Sequence, residues 1–155
     1  MKKPDRIHLL RGQDGGALVE LAMLLPFFTL LMLGAIDVGR AYYLAIEVAG
    51  AAHAAAAYGS QNPTDTTGIK NAAQDDAPNV PNLSVGTPTY GCECADGSSY
   101  SASCSTTPSS CPNSLNVVYR VNVTVQGSYT TLIPWPRVPS SLTFTSTASM
   151  RSAGS

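Results

Sequence analysis

The sequence predicts an α+β fold in which a long N-terminal helix crosses a membrane and packs its outer half on a small antiparallel β-sheet. Three observations predict it. Residues 17–36 are an apolar run holding one carboxylate, Glu20; an alanine-rich stretch follows directly; and two segments near the C-terminus alternate apolar with hydroxyl-bearing or charged residues.

The apolar run sets the frame. A helix over 17–36 is about 30 Å long at about 1.5 Å per residue, the thickness of a bilayer's hydrocarbon core. A chain of 155 residues is too short to surround so apolar a helix with protein. Lys2, Lys3, Arg6 and Arg11 outnumber Asp5 and Asp14 ahead of the run, which keeps the N-terminus cytoplasmic and sends the remainder outward. A cleaved secretory signal fits less well. The apolar segment exceeds the usual signal core, and the small-residue site Ala49-Gly50-Ala51 lies beyond Asp37 and Arg40. The predicted division is a cytoplasmic leader over 1–15, a helix over 16–60 (transmembrane for about 17–36, extramembrane for about 37–60) and an extracytoplasmic domain over 61–155.

Within the leader, Gly12-Gln13-Asp14-Gly15-Gly16 reads as a flexible segment that a protease can bind in extended form. The helix continues past the membrane because residues 37–58 are rich in alanine, the best helix former, and Gly59 followed by Pro63 stops it. Such a helix is about 60 Å long, twice what a bilayer needs. Ala41, Ala45, Ala49, Ala52 and Ala56 form a narrow face where another backbone can approach. Pro26 removes a helical hydrogen bond, and with Gly34 and Gly39 it predicts a kink or local melting.

Asp65 or Thr66 caps a short second helix through Ile69, Ala72 and Ala73, ended by Pro78. Residues 83–90 read as a first strand, placed at an edge by Pro88. In 117–125 the odd positions Val117, Tyr119, Val121, Val123 and Val125 make one apolar face, with Arg120, Asn122 and Thr124 on the other. A last strand sets Leu142, Phe144, Ala148 and Met150 against Thr143, Thr145, Thr147, Ser149 and Arg151. The outer half of the long helix is the one sizeable element able to cover these apolar faces.

Net charge is −1, and no basic run lies outside the leader, which argues against a nucleic-acid surface. Cys92, Cys94, Cys104 and Cys111 cluster in the outward region, where an oxidising compartment favours disulfides. Cys92 and Cys94 share a face of an extended segment and rarely bond each other, so each looks to Cys104 or Cys111. The nested pairing, Cys92 with Cys111 and Cys94 with Cys104, is slightly favoured over the crossed one. The C-x-C-x9-C-x6-C spacing departs from the C-x2–4-C pairs of zinc sites, and no metal or cofactor is expected.

The remaining candidates have ordinary explanations. His53, the one histidine besides His8, is read as a packing or surface residue, and no G-x-S-x-G nucleophile motif accompanies it. Asp75, Asp76 and Asp96 lack calcium-loop spacing and fit solvated turns. Trp135, between Pro134 and Pro136, fits a cover for the sheet edge better than a partner anchor, and Asp37 and Arg40 are spaced to pair along the helix.

Arg11-Gly12-Gln13-Asp14-Gly15-Gly16-Ala17-Leu18-Val19-Glu20-Leu21-Ala22, then Leu25-Pro26 and Asp37-Val38-Gly39-Arg40-Ala41-Tyr42-Tyr43, resemble the TadE-like family of pilin-like proteins from the tight-adherence (Flp) pilus machinery. The closing Ala148-Ser149-Met150-Arg151 extends the resemblance over most of the chain. It implies a non-enzymatic pseudopilin or minor pilin whose leader is cut on the cytoplasmic side by a membrane aspartyl prepilin peptidase. Gly15 and Gly16 are the implied cleavage residues, and cutting after one or the other makes Glu20 the fifth or the fourth mature residue. Glu20 is the implied subunit-packing residue, and Pro26, Asp37 and Arg40 fall in the motifs tied to assembly. The implied setting is the inner membrane, with other pilin subunits, the assembly machinery and the peptidase as partners and possible incorporation in an extracellular pilus. Ala51-Ala52-His53-Ala54-Ala55 departs from relatives, which often carry arginine there. The competing reading is an unprocessed single-pass membrane protein whose outer domain binds a ligand or surface through the cysteine segment.

Overall fold

The computed structural model describes residues 14–98, 100, 101, 111 and 117–152, so residues 1–13 of the expected leader and Cys104 lie outside the described residues. Helix α1 (Asp14–Gln61) comes first, and the chain divides into two units after Val38.

The helix starts earlier than the glycine pair suggests. Gly15 and Gly16 are helical, not extended, because the N–H groups of a first turn need no partner inside the helix and the apolar residues that follow propagate it. Pro26 lies inside α1 without interrupting it, so the expected melting is not found. Near it the Thr29 hydroxyl donates to the Leu25 carbonyl at 2.8 Å. In the first unit the large apolar side chains from Leu18 to Ile36 are exposed around the whole helix, Phe27 and Phe28 included. One polar residue there, Asp37, is buried.

In the second unit α1 buries Leu44, Val48, Ala51, Ala52, Ala55 and Ala56. The expected face was rotated from this one: Ala52 and Ala56 belong to both, but Ala41, Ala45 and Ala49 are half-buried. Leu44 and Val48 remove more apolar surface from water than alanine does, and they set the inward direction. The helix ends as Gly59 and Pro63 predict, the Asn62 N–H donating to the Tyr58 carbonyl at 3.0 Å.

Helix α2 (Thr66–Asp76) is capped by Asp65, which accepts from the Gly68 N–H at 2.9 Å and from the Tyr58 hydroxyl at 2.8 Å. The cap thus ties the end of α1 to the start of α2. The Gly68 N–H, then the Tyr58 hydroxyl, hold the Asp65 carboxyl below its ordinary pKa.

Strands β1 (Ser84–Val85) and β2 (Thr89–Cys94) pair antiparallel with one edge of β3 (Val117–Thr130), and β4 (Ser141–Ser152) pairs with the other. The single edge strand expected over 83–90 is two pieces. Pro88 has no N–H to give the ladder, and the register on β3 shifts by one residue across 86–88, from Ser84↔Gln126 to Thr89↔Asn122. The predicted faces hold. Val121, Val123, Val125 and Tyr129 of β3 and Ala148 of β4 are buried with Ile69 and Ala73 of α2 against α1. Gly127 takes an inward position on β3 where a Cβ would come 2.7 Å from Val48 Cγ2 and 2.8 Å from Val80 Cγ1, so glycine permits this approach of sheet and helix.

Cys94 is bonded to Cys111, which overturns the nested pairing. The chain turns directly after Cys94: the Gly97 N–H donates to the Cys94 carbonyl at 2.8 Å, with Gly97 at φ +85°. Ser98 is therefore Cys94's neighbour across the hairpin, its carbonyl accepting from the Cys94 N–H at 2.9 Å. The sulfur reaches instead to Cys111, shortly before Val117, the residue that pairs with Cys94 on β3. Cys92 is buried on the same face, and its backbone pairs with Ser101.

Two predictions follow from this packing. Val121→Asp should destabilise the outer unit by about 3 kcal/mol or more, because an unpaired carboxylate replaces a fully buried valine. Thr124→Asp, on the other face beside Thr147, should cost under about 1 kcal/mol, and denaturant melts with limited proteolysis compare the two. For Asp65, the depressed folded pKa means that its stabilisation is present above the unfolded carboxylate pKa and is lost as pH falls through the folded value. The Tm gap between wild type and Asp65→Ala should be constant near neutrality and should close as pH drops below about 4; an unchanged gap in acid would refute the charged cap.

Candidate functional site

The first set of candidate residues lies at the start of α1. Gly15 and Gly16 are exposed, and a Cβ on either would meet nothing within 4 Å. Glu20 is exposed on the same helix. Gly16 and Glu20 are four residues apart, so they lie one above the other on one face, about 6 Å along the axis. A chain cut after Gly15 would place a new α-amine one turn ahead of that carboxylate. Pro26 lies further along the apolar segment, where the exposed side chains are hydrocarbon.

The second set follows the apolar run. Asp37 is 4% exposed, a buried carboxylate that the sequence spaces to pair with Arg40 along the helix. Arg40 is exposed, and its guanidinium lies over the Tyr129 ring, 5.7 Å from the centroid. Such a contact uses a face of the cation and leaves its N–H edge able to donate. Arg40 also lines a cavity of about 250 Å³ with Tyr43, Leu44, Asn79, Pro81, Tyr129 and Thr130. The residues come from α1, the α2–β1 connection and the end of β3. No local period marks such a cavity, and sequence reasoning missed it.

A polar network on the sheet's other face was also missed. Glu93 of β2 is buried and ion-paired with Arg120 of β3, whose Nε donates to Glu93 Oε1 at 2.8 Å. Arg120 Nη1 donates to Ser149 Oγ of β4 at 3.1 Å, so one guanidinium links three strands. Asn122 and Tyr100 continue the polar face, with 3.5 Å between Nδ2 and the phenol oxygen. Opposite charges on neighbouring strands were the available signal, but reading them needed the register.

The other candidates take modest places. His53 is exposed on α1. Asp96 accepts from the Ser98 hydroxyl at 2.7 Å and from its N–H at 2.9 Å; these bonds, the hydroxyl first, lower its pKa and make it a turn residue. Trp135 is half-buried in the β3–β4 connection, its carbonyl accepting from the Val138 N–H at 3.2 Å. Among the described residues, no three His, Cys, Asp or Glu side chains converge as metal ligands.

Three features therefore describe the chain: a helix long and apolar enough to cross a membrane, an accessible glycine pair with a carboxylate one turn on, and a disulfide-bonded sheet domain. No curated protein and no solved structure matches it. Residues 15–57, the greater part of α1, match the family model described as TadE-like protein, so this helix is similar to the family that its N-terminal motifs resemble.

Proposed function

We propose that the protein is a structural pseudopilin or minor pilin of a tight-adherence (Flp, type IV-like) pilus, assembled through its N-terminal helix and without catalytic activity. The observation that carries this reading is the coincidence of the TadE-like match with a helix of two characters. Its apolar part is exposed all round, whereas Leu44, Val48, Ala51 and Ala55 further along are buried in the chain's own domain. An exposed apolar cylinder needs lipid or other helices around it, and an assembling subunit exchanges the first for the second.

In this reading prepilin peptidase cuts after Gly15 or Gly16 on the cytoplasmic side of the inner membrane. The domain over 61–155 stays outside, where the Cys94–Cys111 disulfide is stable. Glu20 is then the charged group that subunit docking must satisfy, because a carboxylate among hydrocarbon is costly without a partner. The α-amine released by cleavage, on the same or a neighbouring subunit, supplies that partner. The competing reading, an unprocessed, membrane-anchored protein whose outer domain binds a ligand or surface through the cysteine segment, differs from this one at the mature N-terminus.

Intact-mass measurement and N-terminal sequencing of protein from a piliated host should find a chain that begins at Gly16 or Ala17. Glu20→Gln should leave leader removal intact and reduce piliation severalfold by electron microscopy. A mature chain that still carries residues 1–14, or full piliation by Glu20→Gln, would exclude this mechanism.

A further inference from the structure

We infer that the outer edge of β4 is a docking edge for β4 of a second copy of this chain, paired antiparallel. Among the described residues, β4 pairs with β3 and no strand pairs with its other edge. Two bonds fix which backbone groups point there. The Thr131 N–H donates to the Ser140 carbonyl at 3.1 Å, and bonded pairs of an antiparallel ladder recur at every second residue, so the even positions of β4 bond to β3. On the far side of β3 the Gly86 N–H donates to the Thr124 carbonyl at 2.9 Å, which places the even residues of β3 toward β1 and β2 and its odd residues toward β4. Ser141, Thr143, Thr145, Thr147, Ser149 and Arg151 therefore turn their N–H and C=O groups to the outer edge. The opposite side of the sheet is guarded. Pro88 and the register shift interrupt pairing there, and the Ser101 N–H donates to the outward Cys92 carbonyl at 2.7 Å. Strand β4 has no proline, lysine or bulge over its 12 residues, none of the devices that keep an edge from pairing.

The strand's own sequence selects the occupant, because it matches itself in reverse about Ser146. Antiparallel pairing there sets Thr145 opposite Thr147, Thr143 opposite Ser149 and Ser141 opposite Arg151 on the hydroxyl face. On the inner face it sets Leu142 opposite Met150 and Phe144 opposite Ala148. All the outward residues face one another in this register, and two bonds for each facing pair make about twelve, within the range of direct hydrogen bonds that an ordinary protein interface carries. Sliding by two residues loses pairs. Leu142, Phe144 and Met150 are half-buried against the core, so the facing strand gives them apolar neighbours. The single charge of β4, Arg151, lies roughly 30 Å from its counterpart, so like charges do not meet. A twofold axis closes the pair and turns the second copy end for end. The contact is thus distinct from the side-by-side packing of apolar helices proposed above, and it is independent of leader processing and pilus assembly.

The test is disulfide trapping of the full chain in mild detergent, read on non-reducing gels against wild type as background. Ser146→Cys puts a thiol on the twofold axis, at a non-hydrogen-bonded position where facing Cα atoms lie about 4.5 Å apart, inside the span of a disulfide. Mild oxidation should raise covalent dimer severalfold above background. Thr143→Cys sets the two thiols roughly 20 Å apart and should stay at background. Adding Thr145→Lys and Thr147→Lys to Ser146→Cys opposes like charges on both sides of the axis and should lower dimer yield about tenfold. Ser146 is half-buried and the three threonines are exposed, so these variants should fold, and their melting curves check that. Background dimer in Ser146→Cys, equal trapping by Thr143→Cys and Ser146→Cys, or an undiminished yield in the charged variant overturns the pairing. Chains that associate through their apolar helices alone would give one of these outcomes, so failure here leaves the pilin reading standing.

Discussion

Burial of Leu44, Val48 and the alanines of α1 against Val121, Val123 and Val125 is the contact on which the outer unit depends. A sheet built on one central strand, with a polar outer face, has little to stabilise it until a second layer covers the inner face. Three fully buried valines contribute roughly 1.5–3 kcal/mol each, enough to matter against a total stability of about 5–15 kcal/mol. The small side chains of Ala51, Ala52, Ala55 and Ala56 let the helix backbone come close, and Gly127 removes the Cβ that would hold the sheet away. The same helix therefore obeys opposite rules along its length. Over 17–36 its surroundings must be as apolar as its side chains, and beyond Val38 one face must find a protein partner.

What the sequence made legible follows from locality. The inner face of β3 was readable because a period of two needs only neighbouring residues, and the Asp65 cap because Gly68 lies within the same turn. The buried stripe of α1 was harder, since alanines recur on several faces and only the partner decides which is covered. The break at 86–88 depended on pairing with β3, although Pro88 already marked an edge. Disulfide pairing was illegible for the same reason: a tight turn at Gly97 and the register of Cys94 with Val117 decide it, and neither follows from cysteine spacing. The cavity at Arg40 draws on residues as far apart as Arg40 and Thr130, a juxtaposition that exists only once the sheet covers the helix.

Register is also the problem that the outer face of the sheet has to solve. Strand β4 repeats hydroxyl residues at Thr143, Thr145, Thr147 and Ser149, so sliding it by two positions along β3 would keep every side chain on its own face. Alternation alone does not choose among such registers. The observed one sets small Ala148 opposite Val123, where both are buried, and places the Ser149 hydroxyl on the Arg120 guanidinium. A slip of two would put a residue other than Ser149 opposite Asn122 and bring Leu142, Phe144 or Met150 to new depths in the core. Burying Glu93 is costly in itself, and a buried ion pair is weak evidence for stability. Its consequence here is positional: Glu93 on β2, Arg120 on β3 and Ser149 on β4 make one set of polar contacts that spans all three strands in the observed register. The same register sets Arg151 opposite Arg120, with Arg151 Nη2 donating to the Ala95 carbonyl at 3.4 Å, so the contacts of Arg120 with Glu93 and Ser149 and the burial of Ala148 opposite Val123 mark it together.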